Sequence, residues 1–165
     1  GFYNVSYHVP ICVKMADART IARGAGQIFR PSTEVAPRVL GYAQRKSGRY
    51  SLLIENGCPR LAAIDTMVHE MTHIWQYLNW NDHEIQRIYG NGRNREIVYE
   101  GMATWAAVQF LYQMGETFYA EQQELILSLR DDVYGDGFRL YREKYPFVKD
   151  LSLLKFSPFS EFPPL

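Results

Sequence analysis

The stretch from Pro59 to about Leu78 limits what this chain can fold into more than any other segment does. Leu61, Ile64, Val68, Met71, Trp75 and Leu78 recur every three or four positions, the period of an amphipathic helix of about five turns. Pro59 suits the first helical position, where a backbone N–H would go unpaired anyway. In the middle of this helix lies His69-Glu70-Met71-Thr72-His73. A spacing of four puts both imidazoles on one face, one turn apart, so their nitrogens can converge on a single ion. Glu70 is rotated slightly round the helix and can reach a metal-bound water without ligating the metal. Metal-assisted hydrolysis needs that combination. The chain has only four histidines, so this spacing is rare by chance; a purely structural pair is the alternative.

Two histidines leave a catalytic zinc site one protein ligand short. His83 is ten residues past His73, but the segment between them lacks the Gly that supports the turn of a metzincin. Tyr99-Glu100-Gly101-Met102-Ala103 offers the better ligand. Glu100 begins the second turn of a helix expected from about Arg95 to Gln113, and the small Gly101, Ala103, Ala106 and Ala107 let that helix approach a neighbour closely. Glu96, one turn earlier, is the rival. With His69, His73 and Glu100 the site is of the His₂Glu type, holding one Zn²⁺ per chain.

Around this pair of helices the rest of the chain is organised as α+β. Val5, Tyr7, Val9, Ile11 and Val13 alternate with Asn4, Ser6, His8, Pro10 and Cys12, a period of two that reads as a strand with Pro10 at a sheet edge or interruption. His8 falls on its polar, surface phase. Ala22 to Gly26 and Arg30 to Thr33 read as loops. Val39 to Ala43 and Tyr50 to Ile54 flank Arg45-Lys46-Ser47-Gly48 as a hairpin. Two further helices are expected at Glu116 to Leu129 and Phe138 to Tyr145. The expected architecture is one domain over residues 1–165: strands and loops at 1–57, helices at 58–150 and a Pro-rich extended tail at 151–165. Its sheet is small and mostly antiparallel, packed on the helical part.

Composition excludes other roles. Eighteen acidic and eighteen basic residues cancel, so attraction to nucleic acid or to an anionic membrane is not the driving force. The apolar runs are broken by Arg, Glu or Gln well short of a bilayer span. Gly1-Phe2-Tyr3-Asn4 has neither the basic start nor the apolar core of a signal peptide. With only Cys12 and Cys58, read as free thiols that are buried or half-buried, the expected compartment is the cytoplasm. The missing initiator Met leaves room for partner domains outside the chain.

The His-Glu-x-x-His helix followed by Glu-Gly on the next helix resembles the gluzincins, metallopeptidases whose third ligand is Glu. Three stretches are similar to the C-terminal peptidase domain of the plant ubiquitin-activated, LIM-domain-containing peptidases that restrict organ growth. They are Asn56 to Leu61, Val68 to Trp75, and Tyr134-Gly135-Asp136-Gly137-Phe138-Arg139. The similarity covers about residues 50 to 145. It implies a compact fold with a small sheet over the metal helix, Glu70 as the base and a protein or peptide substrate. The family's acid beside the ligand Glu is Tyr99 here, and Thr104 stands where gluzincins often carry an Asp that orients a histidine; Asp65, one turn before His69, could substitute, an ordinary solvated Asp being the other reading. The LIM domain and ubiquitin-binding helices have no counterpart in the chain.

The oxyanion donor, commonly Tyr or His in gluzincins, is assigned to Tyr134, in a Gly-rich turn, with His83 and Tyr141 as rivals. A substrate strand is expected to pair with the edge formed by Ser51, Leu52, Leu53 and Ile54. The resulting expectation is a zinc endopeptidase. The alternatives are an inactive zinc-braced interaction domain and a zinc hydrolase of non-peptide amides.

Overall fold

The computed structural model describes residues 3, 5–26, 40–150 and 157–159. Gly1, Phe2 and Asn4, the expected loop at Arg30 to Thr33, Val39 at the head of the hairpin and most of the tail lie outside these residues. The elements run β1 (Ile11–Ala16), α1 (Ala18–Gly24), β2 (Gly41–Lys46), β3 (Arg49–Glu55), α2 (Arg60–Asn79), α3 (Asp82–Tyr89), α4 (Arg93–Gln113), α5 (Thr117–Leu129) and α6 (Val133–Lys144). The architecture is α+β. Among the described residues no helix is long and apolar enough to cross a membrane.

The sheet has three strands in the order β1-β3-β2. β2 and β3 form the expected hairpin, joined by Ser47 and Gly48 with φ of 49° and 73°. Positive φ at both loop positions matches the right-handed twist of the strands. β1 returns parallel to β3, with Ile11 opposite Tyr50 and Ala16 opposite Glu55. The sheet is therefore mixed rather than mostly antiparallel, and β3 lies at its centre. β1 begins only after Pro10, leaving Val5, Tyr7 and Val9 outside it; Pro10 has no N–H to give a ladder. The segment read as a loop at Ala22 to Gly26 contains the end of α1, whose first turn is capped by the Asp17 carboxylate accepting from Thr20 N.

α2 packs on the hairpin with one side and on α4 with another. α4 is buried almost all round, from Val98 to Gln109 with the exception of Glu100. A helix apolar on every side belongs inside a protein. Trp75 of α2, Met102, Trp105 and Ala106 of α4, and Tyr141 and Tyr145 at the end of α6 form the central cluster. Phe159 stacks on Tyr3 and meets Trp75 edge-on, so at this point the tail packs into the core instead of lying over the surface.

α4 and α6 cross at two glycines. A Cβ on Gly101 would lie 2.6 Å from the Gly137 backbone, and one on Gly137 would lie 2.4 Å from the Ile97 carbonyl oxygen. The Gly-rich segment from Tyr134 to Phe138 is accordingly the beginning of α6 and not a turn. Asp132 caps it by accepting from Gly135 N, Asp136 pairs with Arg93 and Arg139, and Phe138 is buried.

Candidate metal centre

His69 and His73 project from one face of α2 toward α4, where Glu100 faces them. Their Nε2 atoms are 3.1 Å apart. Glu100 Oε2 lies 3.1 Å from His69 Nε2 and 3.4 Å from His73 Nε2. These three separations fit one face of a tetrahedral zinc site, since bonds of ~2.0–2.1 Å at tetrahedral angles put ligand atoms about 3.3–3.4 Å apart. The donor set of two imidazoles and a carboxylate also suits zinc. Among the described residues, these three are the only group of His, Cys, Asp and Glu side chains so arranged. Glu96 lines the same cleft but is exposed and outside the group. His83 is exposed on α3, and His8 is exposed and bonded to Ser6.

Each imidazole needs a partner that fixes which nitrogen carries the proton. For His73 it is Gln76, fully buried, whose Oε1 lies 2.8 Å from Nδ1. The Gln76 amide then donates to the Tyr99 carbonyl on α4 at 2.9 Å. With Nδ1 as donor, deprotonation of the ring would leave the lone pair of His73 Nε2 for an ion between the three side chains. Sequence reasoning missed this residue, although its spacing of three from His73 on one helix was a usable signal. Thr104 does not orient a histidine: its hydroxyl donates back to the carbonyls of Glu100 and Gly101. Tyr99 donates to Asp82 at 3.0 Å, which occupies the hydroxyl away from the ligands.

Burial opposes charge on both Glu100 and His73, but each is outweighed by its partners. The two imidazoles hold the Glu100 carboxyl well below the usual carboxylate range. Glu100 in turn lifts His73 to about 9. The carboxylate and the protonated imidazole thus stabilise each other, and the proton occupies the place that a metal ion could take. Burial pushes Asp65 up to about 6, with the charge on His69 working the other way.

Glu70 stands beside the triad at the foot of β2. Its Oε2 accepts from Ala43 N at 2.6 Å, and burial raises its carboxyl above the ordinary value. Across the cleft the Tyr134 ring stacks on His69, with centroids 6.2 Å apart, and the Arg130 guanidinium covers the Tyr134 ring. Burial, reinforced by Glu100 and Glu70, raises the Tyr134 hydroxyl to about 12, keeping it a proton donor. Tyr141 is buried in the core and does not reach the site. Tyr77, one turn after His73 and stacked beside it at 6.5 Å, also lines the cleft and was not anticipated.

The cleft has a volume of about 340 Å³, with Gly41, Tyr42 and Ala43 of β2 forming one wall. Ser51 to Ile54 cannot receive a substrate strand, because β3 is paired on both sides. Among the described residues the edge of β2 beside the candidate metal centre pairs with no further strand, its Ala43 N–H being held by Glu70. The two-residue loop makes Lys46 and Arg49 a hydrogen-bonded pair, and the Leu40 carbonyl accepts from Glu55 N. The alternation leaves the backbone groups of Gly41, Ala43 and Arg45 facing outward. The bond from Ala43 N to Glu70 agrees with that assignment.

Comparison with known proteins finds no matching family model, no similar curated protein and no solved structure that resembles the chain.

Proposed function

We propose that this domain is a zinc-dependent endopeptidase of the gluzincin kind, with one ion held by His69, His73 and Glu100. The observation that carries the reading is the convergence of these three donors from two helices, with Glu70 beside them in a cleft of about 340 Å³. A structural zinc is closed by four protein ligands, whereas no fourth His, Cys, Asp or Glu joins the group among the described residues. The outward edge of β2 favours a peptide over other amides, since it offers a backbone ladder to an extended chain.

Zinc supplies Lewis acidity toward the carbonyl and an acidified water. The protein's own groups do the rest. Glu70, through the oxygen not engaged by Ala43, takes the proton of the attacking water and passes it to the leaving amine. Tyr134 donates its hydroxyl hydrogen bond to the developing oxyanion. Gln76 holds the His73 tautomer, and Glu100 tethers α4 to the centre. Cys12, on the edge strand β1, is exposed and not buried or half-buried as expected, while Cys58 is partly exposed; two free thiols fit a reducing compartment such as the cytoplasm.

Replacing the base tests this directly. Glu70→Gln should keep zinc and lower cleavage of an unfolded protein by about a hundredfold or more. His73→Ala should lose zinc and cleavage together. Full activity in Glu70→Gln, measured with chelator controls, would show that the base is misassigned.

A further inference from the structure

A second cavity, of about 330 Å³, adjoins the metal cleft along β2 and shares Ala43, Tyr77, Arg95 and Tyr99 with it. Its far walls are Arg45, Trp80 and Asp82. We propose that this cavity is a side-chain subsite for an acidic residue of an extended substrate; the inference rests on the peptidase reading of the neighbouring cleft. Position and charge both support it.

The outward carbonyl of Ala43, whose N–H is held by Glu70, and the outward backbone groups of Arg45 are two residues apart, about 6.6–6.8 Å along the strand. A peptide paired with β2 and centred on the metal cleft at Ala43 thus carries a neighbouring residue over Arg45. Antiparallel pairing, the more stable arrangement, runs the substrate toward its own N-terminus in that direction. The subsite therefore reads a residue on the amino side of the cut bond.

The charges in the two cavities differ. The metal cleft sets Glu70, Glu96 and Glu100 against the shared Arg95. The second cavity has two guanidinium groups against one carboxylate. Asp82 is committed to Arg95 and to the Tyr99 hydroxyl. Arg45, exposed, lies over the Tyr50 ring and makes no ion pair among the described residues. A carboxylate entering here meets an uncompensated cation, and the rings of Tyr77, Trp80 and Tyr99 cover the methylene part of its side chain. A basic side chain would face that same unpaired charge of Arg45.

The test uses zinc-loaded Glu70→Gln protein, which should hold peptides without cutting them, and C-terminally amidated peptides that differ only at the residue over Arg45. Fluorescence anisotropy should show the Glu peptide binding about fivefold more tightly than its Gln counterpart, the upper range for a partly exposed ion pair. The charge reversal Arg45→Glu should invert the order and favour Lys. A Glu peptide that binds no better than Gln, or a Phe peptide that binds best whatever stands at position 45, overturns the subsite. Unmutated protein that shows the acidic preference in binding yet cleaves nothing would sink the peptidase reading and leave the subsite in place.

Discussion

Gln76 illustrates how a single amide would prepare the proposed metal site before any ion arrives. Its oxygen fixes one imidazole and its nitrogen ties that imidazole's helix to the backbone of the next. Gln76→Leu keeps the size and removes both bonds, so zinc affinity should fall about 10–100-fold, measured by competition with a chromophoric chelator. Tyr134→Phe should instead leave zinc affinity alone and lower kcat by about a hundredfold, as loss of an oxyanion donor does. Asp65 offers a pH-dependent test. Its folded-state value of about 6 lies above the ordinary 3.8, so the folded chain binds the extra proton. The penalty is absent at low pH and grows as the pH rises through about 6. Asp65→Asn should therefore stabilise the metal-free chain by on the order of 1–2 kcal/mol at about pH 8 and by almost nothing at about pH 3.5, read from thermal melts.

The glycine crossing of α4 and α6 sets the placement of the site at the scale of elements, because Glu100 precedes one glycine and Tyr134 lies one turn before the other. Gly137→Ala would drive a methyl into the Ile97 carbonyl and the Gly101 Cα. It should cost about 1–3 kcal/mol in a melt and weaken zinc binding by displacing Glu100. The sequence made parts of this arrangement legible and hid others for physical reasons. α2 could be read because about twenty residues of one period leave no other structure, and α4 because its long run of apolar and small residues holds no Pro. The hairpin could be read because Ser47-Gly48 is flanked by two apolar runs. α3 was missed because only Ile85 and Tyr89 of its eight residues are buried, too few to show a period. The start of α6 was misread because glycine usually signals a turn, whereas here it makes room for another helix. The order of strands was invisible: nothing local tells β3 that β1 will pair with its second side.

At the scale of the molecule, the metal donors join two layers, since α2 rests on the sheet while α4 lies within the helical core. An ion bound only in the folded state should therefore stabilise the whole domain. At a free zinc concentration a hundredfold above Kd the gain is about 2.7 kcal/mol, or a rise in Tm of roughly 5–10 °C for a chain of this size. Excess chelator should reverse it, and a melt indifferent to chelator would exclude binding of this kind. The backbone contact between Gly101 and Gly137 has one more consequence. Because no side chain intervenes there, the gap between the carboxylate proposed to hold the ion and the phenol opposite it does not depend on how rotamers settle elsewhere. Repacking of distant core positions can alter how readily the domain melts while the calibration of its working groups stays fixed, so stability and reactivity can be tuned separately everywhere except at those two hydrogens.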